Sequence, residues 1–261
     1  MKAKSIKQLF TEKKRIFVPF TVLGDPDIKT STDIIKTYID NGADMLELGI
    51  AFSDPTADGP VIQEADQRVL QNGVSLDDTF KILKNIRSYS NIPISLLSYL
   101  NPIYKYGIDK FYKKMAEIGV QALLIADLPL EEIALVAPAA KKHGINQVFL
   151  VHEKTTPKRL KQILKYASGY LYLVASRSTT GAKSTLPSNL KTVIKKLQKH
   201  TSLPLIVGFG ISEAGHLKQI ANFGGNGVIV GSKLVDVIKA NLKNKSSILQ
   251  KMAKEIKLLL S

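Results

Sequence analysis

The sequence predicts an α/β fold, a single (β/α)8 TIM barrel with extra helices, on three observations. Short apolar runs typical of buried parallel strands recur eight times along the 261 residues. Helical patterns separate successive runs, and this alternation is typical of repeated β-α-β units. No linker or low-complexity segment interrupts the chain, so we expect residues 1–261 to form one domain.

The predicted elements alternate along the whole chain. Predicted strands lie at residues 17–22, 45–50, 94–99, 122–126, 147–151, 170–174, 205–207 and 227–230. Predicted helices lie at residues 33–40, 79–86, 109–118, 130–142, 157–166, 188–199 and 213–222. The long interval after Ile50 must hold an additional loop and helix. Residues 246–260 have apolar side chains spaced for one helix face, which favours a helix covering the barrel over one lying on a membrane.

The second predicted strand carries one acidic residue, Glu47, among apolar neighbours. Alternation places Glu47 on the same face as Met45 and Gly49, and we expect that face to point into the interior. Burial disfavours the charged form of a carboxyl group and raises its pKa. Glu47 is therefore a candidate for proton transfer near neutral pH.

Two aspartates follow in a turn-rich loop, Asp54 before Pro55 and Asp58 before Gly59. Both are typical turn formers, and this is the simplest interpretation of Asp54. Loops on a rigid scaffold often carry chemistry, so Asp58 is also a candidate for a mobile carboxylate that swings over a site at the strand end. The pattern alone leaves the structural and the functional interpretation of Asp58 open.

Active sites of such barrels lie at the C-terminal ends of the strands. Side chains that we place near those ends are Phe20, Glu47, Tyr99, Asp127 and Tyr172. They are the candidates for the walls and the chemistry of a site.

Three glycine features follow the last three predicted strands, and they indicate a phosphate site. They are Gly181 after the sixth, Gly208-Phe209-Gly210 at the seventh and Gly231-Ser232 at the eighth. Glycine permits close approach of the backbone to an anion, and we expect Ser232 to be the N-cap of a helix. The amides at a helix start bind phosphate, and barrels often do so after strands seven and eight.

Composition excludes several classes of function. The chain has no cysteine, which excludes disulfides, thiolate metal sites and cysteine nucleophiles. Its four histidines lack the His-Glu-x-x-His spacing, so we expect no metal. No apolar run is long enough to span a membrane, and the N-terminal residues lack the apolar core of a signal peptide. A cytoplasmic protein is the resulting expectation.

The formal charge of +15, with a pI of about 9.7, raises the question of a nucleic-acid partner. The lysines are dispersed over predicted helices, and no arginine cluster alternates with aromatic residues. A solvated basic surface explains this distribution better, so we expect no nucleic acid as a partner. The positive field can still attract an anionic substrate.

Residues 46–63 read LELGIAFSDPTADGPVIQ. This stretch resembles the signature of the tryptophan synthase alpha subunit family, L-E-L-G-x-P-F-S-D-P-x-A-D-G-P-x-I-Q, and the similarity extends from Phe17 to about Val235. Ala51 stands where proline is usual and Thr56 where leucine is common. Neither departure removes an acidic group.

The resemblance implies a carbon–carbon lyase of tryptophan biosynthesis. The family cleaves indole-3-glycerol phosphate to indole and glyceraldehyde 3-phosphate in a retro-aldol reaction, and its catalytic pair matches Glu47 and Asp58. No cofactor is implied for this subunit. The implied partner is the tryptophan synthase beta subunit, which carries pyridoxal phosphate, in an alpha2-beta2 heterotetramer.

The resemblance also implies substrate-binding residues. The matching positions are Phe20, Leu97, Tyr99, Tyr172, Thr180, Gly181, Phe209, Gly210, Gly231 and Ser232. Ordinary barrel packing is the alternative for Leu97 and Tyr99. The family commonly has S-R-x-G-V-T-G after strand six, where residues 176–181 read SRSTTG, one residue shorter. This loop closes over the substrate in the family, so the shortening bears on lid closure and partner coupling.

Three other functions remain open. The first is a stand-alone lyase that releases free indole, which a beta subunit would not activate. The second is another phosphate-binding barrel, such as a sugar-phosphate isomerase, against which the Glu47 and Asp58 motif argues. The third is a non-catalytic basic protein, which salt-sensitive binding of nucleic acid would reveal.

Overall fold

The computed structural model describes residues 3–175, 186–208 and 210–261. Eight strands pair in parallel in their chain order and the last pairs with the first, so the predicted (β/α)8 barrel is confirmed. The strands are β1 (Ile16–Val22), β2 (Leu46–Gly49), β3 (Ile94–Ser98), β4 (Ala122–Ile125), β5 (Asn146–Val151), β6 (Leu171–Val174), β7 (Leu205–Gly208) and β8 (Gly227–Val230).

Helices surround the barrel. They are α1 (Ile6–Glu12), α2 (Ile28–Asp40), α3 (Pro60–Gln71), α4 (Leu76–Tyr89), α5 (Leu100–Tyr106), α6 (Ile108–Ile118), α7 (Ala137–His143), α8 (Pro157–Ile163), α9 (Leu190–Gln198), α10 (His216–Phe223), α11 (Ser232–Lys239) and α12 (Lys245–Leu260). A 3₁₀ helix, Leu130–Leu135, precedes α7. None of the helices within the described ranges is long and apolar enough to cross a membrane.

The helix predictions need three corrections. The single helix expected at 130–142 is wrong, because the chain forms a 3₁₀ helix and then restarts as α7 with Pro138 in its first turn. Proline lacks an N–H and fits the first turn of a helix better than its interior. Two short helices were not predicted, α5 and α1, although Ser5 and Gln8 form a reciprocal capping box at the start of α1. The extra segment expected after Ile50 is confirmed by α3.

Two apolar layers stabilise the barrel. The inner layer fills the barrel and is closed at the N-terminal end of the strands by α1, whose Ile6 and Leu9 are buried. The outer layer lies between strands and helices. There α12 buries Ile248, Met252 and Ile256, so the C-terminal helix covers the barrel as expected. The opposite end, formed by the C-terminal ends of the strands, is called the barrel mouth below.

Candidate active site

Glu47 points into the barrel from β2. The alternation predicted for this strand is confirmed, since Met45 belongs to the inner layer whereas Leu46 and Leu48 belong to the outer layer. Glu47 is 1% exposed and pairs in register with Phe20 on β1. A carboxyl group is thus held inside an otherwise apolar barrel, near the mouth.

Its surroundings keep Glu47 largely protonated at neutral pH. Burial raises the pKa of Glu47 to about 8, and the charge of Asp58 adds to the effect, whereas a hydrogen bond from Tyr170 lowers the pKa. Tyr170 Oη lies 3.4 Å from Glu47 Oε1 and 3.0 Å from Ser95 Oγ. Glu47 can therefore donate a proton near pH 7 and take one back.

Tyr170 and Ser95 are contacts that sequence analysis missed. Ser95 pairs in register with Glu47 on the neighbouring strand β3. Tyr170 directly precedes β6, is fully buried and has its ring 6.4 Å from that of Phe10 on α1. A side chain with a hydroxyl group in an otherwise apolar run is the signal that could have indicated them.

Asp58 lies on the loop of residues 50–59 between β2 and α3, called the carboxylate loop below. The hydroxyl of Tyr99 donates to Asp58 Oδ2 at 2.6 Å and accepts the N–H of Ala57 at 3.1 Å. Gln63 Nε2 donates to the backbone oxygen of Asp58 at 2.8 Å. The sequence left open whether Asp58 is a turn former or a mobile carboxylate, and in this structure hydrogen bonds hold both its carboxylate and its backbone oxygen.

The two carboxyl groups differ in their environment. Burial raises the pKa of Asp58 above its ordinary value, and the hydrogen bond from Tyr99 opposes this effect only in part. Glu47 is closed into the barrel, whereas Asp58 is only partly buried at the mouth. Environments that separate the pKa values of two acids are typical of acid–base sites. The mouth thus holds a proton donor beside a group that carries negative charge more readily.

Phe20 forms part of the wall of the mouth. It is 5% exposed and lies two residues before the end of β1. A Cβ atom on Gly49 would approach Phe20 Cζ to 2.8 Å, and one on Gly231 would approach Phe20 Cδ1 to 3.3 Å. Glycines after β8 and at the end of β2 therefore leave room for the Phe20 ring.

Tyr172 and Leu97 also lie on the inner side of the mouth. Leu97 is half-buried on β3, and Tyr172 is 4% exposed on β6. A Cβ atom on Gly208 would lie 2.1 Å from Tyr172 Oη, far inside van der Waals contact. We interpreted Gly208 as an anion-binding glycine, but in the structure it makes space for the Tyr172 ring.

The start of α11 is the candidate phosphate site. The prediction that Ser232 is the N-cap is wrong by one residue, because Gly231 is the N-cap and Ser232 is the first helical residue. The oxygen of Gly231 accepts the N–H groups of Leu234 and Val235. The N–H groups of Ser232 and Lys233, which precede these two, have no acceptor within a helix and can bind an anion.

Other predicted site residues contribute less or cannot be placed. Gly210 follows β7 with φ +77°, a left-handed conformation that favours glycine. Thr180, Gly181 and Phe209 lie outside the described residues, as does the shortened loop 176–181. Asp127 Oδ1 accepts the N–H of Leu100 at 2.8 Å, so its carboxylate caps α5.

The described ranges contain no cluster of three or more histidine, aspartate or glutamate side chains that could hold a metal ion. Fold and site together define a TIM-barrel enzyme with paired carboxyl groups at the C-terminal end of its strands.

Comparison with known proteins narrows this class to one family. The family model of the tryptophan synthase alpha chain matches residues 6–259. A tryptophan synthase alpha chain from Methanoregula boonei is 44% identical over 252 residues, which are 96% of this chain and 95% of that protein. One from Helicobacter pylori is 44% identical over 241 residues, 92% of each chain.

Solved structures agree with the sequence comparisons. Tryptophan synthase subunit alpha from Legionella pneumophila has a TM-score of 0.88 and 34% identity, covering 97% of this chain and 94% of that one. The tryptophan synthase a2b2 complex of Pyrococcus furiosus contains a chain with a TM-score of 0.87 and 34% identity, covering 95% of this chain and 98% of that one. The chain belongs to the tryptophan synthase alpha chain family.

Proposed function

We propose that this chain cleaves indole-3-glycerol phosphate to indole and glyceraldehyde 3-phosphate, with Glu47 and Asp58 as its catalytic pair. The observation that carries the proposal is the placement of these two groups at one barrel mouth. Glu47 is 1% exposed and has its pKa raised to about 8 by burial, whereas Asp58 accepts a 2.6 Å hydrogen bond from Tyr99. One group is thus ready to give a proton while the other can remain an anion.

In the first step, protonated Glu47 gives its proton to C3 of the indole ring. The ring becomes a cationic indolenine with its charge at N1–H. Asp58 accepts the hydrogen bond of this N–H and stabilises the developing positive charge. A carboxylate fixed by Tyr99 needs little rearrangement to do so.

In the second step, the Glu47 carboxylate takes the proton of the side-chain hydroxyl. The bond between indole C3 and the side chain breaks, its electron pair returns to the indole ring, and the hydroxyl carbon becomes the aldehyde of glyceraldehyde 3-phosphate. Glu47 ends the cycle protonated, so no proton is consumed. The carbon–carbon cleavage requires no metal or organic cofactor from this chain.

Substrate binding divides between two parts of the mouth. We assign the indole ring to the apolar wall of Phe20, Leu97 and Tyr172, with Tyr99 beside it. We assign the phosphate to the start of α11. The residues proposed for it are Gly231 and Ser232, together with Gly210 and, from the sequence alone, Thr180, Gly181 and Phe209.

We further propose a tryptophan synthase beta subunit as the partner, because the Pyrococcus furiosus relative is part of an a2b2 complex. Pyridoxal phosphate would be carried by that beta subunit in an alpha2-beta2 heterotetramer. We also propose that residues 1–261 act as one barrel domain in the cytoplasm.

Indole release from indole-3-glycerol phosphate, measured with and without a cognate beta subunit, tests the proposal. We expect slow release by the chain alone and faster turnover in the complex. Activity that a bound beta subunit leaves unchanged would favour a stand-alone lyase. No indole from either preparation of folded protein would refute the proposed reaction.

A further inference from the structure

Ser95 is a buried polar residue on β3 whose hydroxyl group has no part in the proposed reaction so far. It is 0% exposed and pairs in register with Glu47 on β2. Its neighbours Ile94 and Leu96 belong to the outer apolar layer, whereas Leu97 belongs to the inner layer. Alternation along the strand therefore turns Ser95 into the barrel, on the side of Glu47.

Tyr170 connects Ser95 to the carboxyl group of Glu47. The hydroxyl oxygen of Tyr170 lies 3.0 Å from Ser95 Oγ and 3.4 Å from Glu47 Oε1. Burial and the charge of Glu47 raise the pKa of Tyr170 well above its ordinary value, so its hydroxyl group keeps its hydrogen. Among the described residues, no side chain bonds the other carboxyl oxygen, Glu47 Oε2, which is thus left for the substrate.

The Tyr170 hydroxyl has one hydrogen and two acceptors within reach. When Glu47 is protonated, its Oε1 is an uncharged acceptor, and the shorter contact to Ser95 favours donation to Ser95. When Glu47 is ionised, Oε1 becomes the stronger acceptor, because hydrogen bonds to a charged group are roughly twice as strong. Tyr170 then donates to Glu47, and Ser95 donates to Tyr170. A change of charge on Glu47 can thus be met by turning two hydroxyl hydrogens.

Such a pair of hydroxyl groups suits a residue that must lose a proton and regain it. In the proposed first step Glu47 becomes a carboxylate inside an apolar barrel, where an uncompensated charge is costly. The other titratable groups that face Glu47 are Asp58 on the carboxylate loop and Tyr172 on β6. Neither of these two is a cation. A hydroxyl donor already in place can stabilise the carboxylate with little rearrangement.

We propose that Ser95 is a positioning residue for the lyase reaction, which acts through the Tyr170 hydroxyl to support Glu47 in both its protonated and its ionised form. This inference rests on the proposed function, because it assigns Ser95 to the same reaction. Ser95 touches no reacting atom. Its effect reaches the substrate through Tyr170 and Glu47.

A double-mutant cycle tests whether Ser95 acts through Tyr170. Ser95→Ala removes one hydroxyl group, Tyr170→Phe removes the other and keeps the ring, and the double variant removes both. Ser98→Ala is the matched control, because Ser98 is also 0% exposed on β3 but its hydroxyl donates to the backbone oxygen of Tyr99 at 3.1 Å. Each variant is compared with wild type by kcat and KM for indole release.

We expect Tyr170→Phe to lower kcat by about 10- to 100-fold, the effect of losing a hydrogen bond to a charged group. Ser95→Ala should lower kcat by about 2- to 10-fold, the effect of losing a neutral one, with a smaller change in KM. Adding Ser95→Ala to Tyr170→Phe should lower kcat no further, and Ser98→Ala should leave it unchanged. A loss from Ser95→Ala that is equal in both backgrounds, or matched by Ser98→Ala, would overturn the proposal.

The pH dependence separates a role at Glu47 from a change in packing. Glu47 enters the reaction protonated, so kcat/KM of wild type should fall as pH rises through its pKa of about 8. In Ser95→Ala the Tyr170 hydrogen can turn to Oε1 of the protonated group, whereas nothing replaces the Ser95 donor in the ionised form. The pKa of Glu47 should therefore rise, and the fall in kcat/KM should move to higher pH. We expect a shift of about 1 pH unit in Tyr170→Phe and a smaller one in Ser95→Ala.

Infrared spectroscopy follows the same titration without substrate. The carboxyl band of Glu47 is identified as the band that is missing in Glu47→Gln. Its titration should move to higher pH in Tyr170→Phe and in Ser95→Ala, and an unchanged titration in both variants would contradict the proposal. Failure of the proposed function looks different, since wild type itself would then form no indole while the infrared titration would still report whether Ser95 and Tyr170 act on Glu47.

Discussion

At the scale of single residues, the chemistry of the mouth depends on how buried each carboxyl group is. Glu47 lies among inward apolar side chains with the Tyr170 hydroxyl as its neighbour. Burial raises its pKa, so the carboxyl group stays protonated near neutral pH. Asp58 lies further out and is held by Tyr99. The same functional group thus serves as an acid in one place and as an anion in the other.

Glu47→Gln removes the proton donor and acceptor but keeps the shape of the side chain. We expect indole release to fall by roughly 10²–10⁴-fold, the usual contribution of general acid–base catalysis. Steady-state release of indole measures the loss, and circular dichroism checks that the barrel is folded. Near-normal turnover would remove Glu47 from the mechanism.

The same substitution should alter stability in a pH-dependent way. In the folded chain the pKa of Glu47 is raised from 4.5 to about 8, so the unfolded state loses this proton at lower pH than the folded state does. The folded state binds more protons between about pH 4.5 and 8, and wild type therefore loses stability as pH rises through this window. Above pH 8 the full cost of burying the charge is present.

Glu47→Gln lacks this cost. The free energy of unfolding of the variant, relative to that of wild type, should therefore increase by about 1–5 kcal/mol from pH 4.5 to pH 8. Urea unfolding of both proteins at the two pH values gives the difference, and the other titrating groups cancel between them. If the difference in free energy of unfolding does not change with pH, folding does not raise the pKa of Glu47.

Asp58→Asn keeps the size of the side chain and loses its charge. Turnover should fall severely, about 10²-fold or more, because the cationic indolenine loses its anionic neighbour. KM should change less, since the phosphate is bound at the start of α11. Asp54→Asn is the matched control on the same loop, because Asp54 is exposed. Normal turnover with lost affinity would instead make Asp58 a binding residue.

At the scale of elements, glycines at the strand ends leave space for the aromatic rings that line the mouth. Gly49 and Gly231 leave room for Phe20, and Gly208 leaves room for Tyr172. A side chain at any of these positions would have to displace a ring. The glycines of β2, β7 and the β8–α11 junction thus determine the wall of the mouth before they contact any ligand.

Gly231→Asp tests the start of α11 as the phosphate site. The new carboxylate would repel the phosphate and compete for the free amides. A hydrogen bond to a charged group contributes about 1.5–3 kcal/mol. Losing it should weaken the binding of glyceraldehyde 3-phosphate by roughly 10- to 100-fold. Binding of indole should change little, and titration calorimetry measures both.

Gly231→Ala is the control for this substitution, because any Cβ atom at residue 231 would come within 3.3 Å of Phe20 Cδ1. Its effect on both ligands gives the part of the loss that is steric. Equal losses for glyceraldehyde 3-phosphate and indole in Gly231→Asp would indicate a disturbed barrel rather than a lost phosphate site.

The elements were largely predictable from sequence, because parallel strands buried on both faces form continuous apolar runs. All eight strands lie where these runs predict them. Short elements were harder, since the seven residues of α1 give too little periodicity and only a capping box marks its start. A proline rather than a change in hydropathy divided the predicted helix at 130–142.

Contacts across the barrel left little local signal in the sequence. Tyr170 lies 123 residues from Glu47, and Tyr99 lies 41 residues from Asp58. Asp66 looks like an ordinary polar position of an amphipathic helix until the fold buries it. The motif at residues 46–63 could therefore indicate the two proposed catalytic groups, but only the closed barrel shows which side chains contact them.

At the scale of the whole molecule, the two ends of the barrel have different roles. The N-terminal end of the strands is closed by α1, which packs Leu9 and Phe10 against the inner layer. The mouth end carries the carboxylate loop, on which Asp54 and Thr56 are exposed whereas Asp58 is partly buried and bonded to Tyr99. A protein that binds the mouth can thus contact this loop from outside and influence Asp58 within.

Binding of a beta subunit should therefore raise the activity of this chain. We propose that the partner binds over the mouth, against the loop that carries Asp54 and Asp58, because Asp54 is exposed on it. If the partner prefers the conformation in which the mouth is complete, activity rises by its differential affinity for that state, about 5- to 150-fold for typical couplings.

Titrating a cognate beta subunit while indole formation is followed measures the increase. Asp58→Asn should bind the partner but show no increase in activity. A flat response, with the complex detected independently by ultracentrifugation, would mean that the shortened 176–181 loop has uncoupled the two subunits.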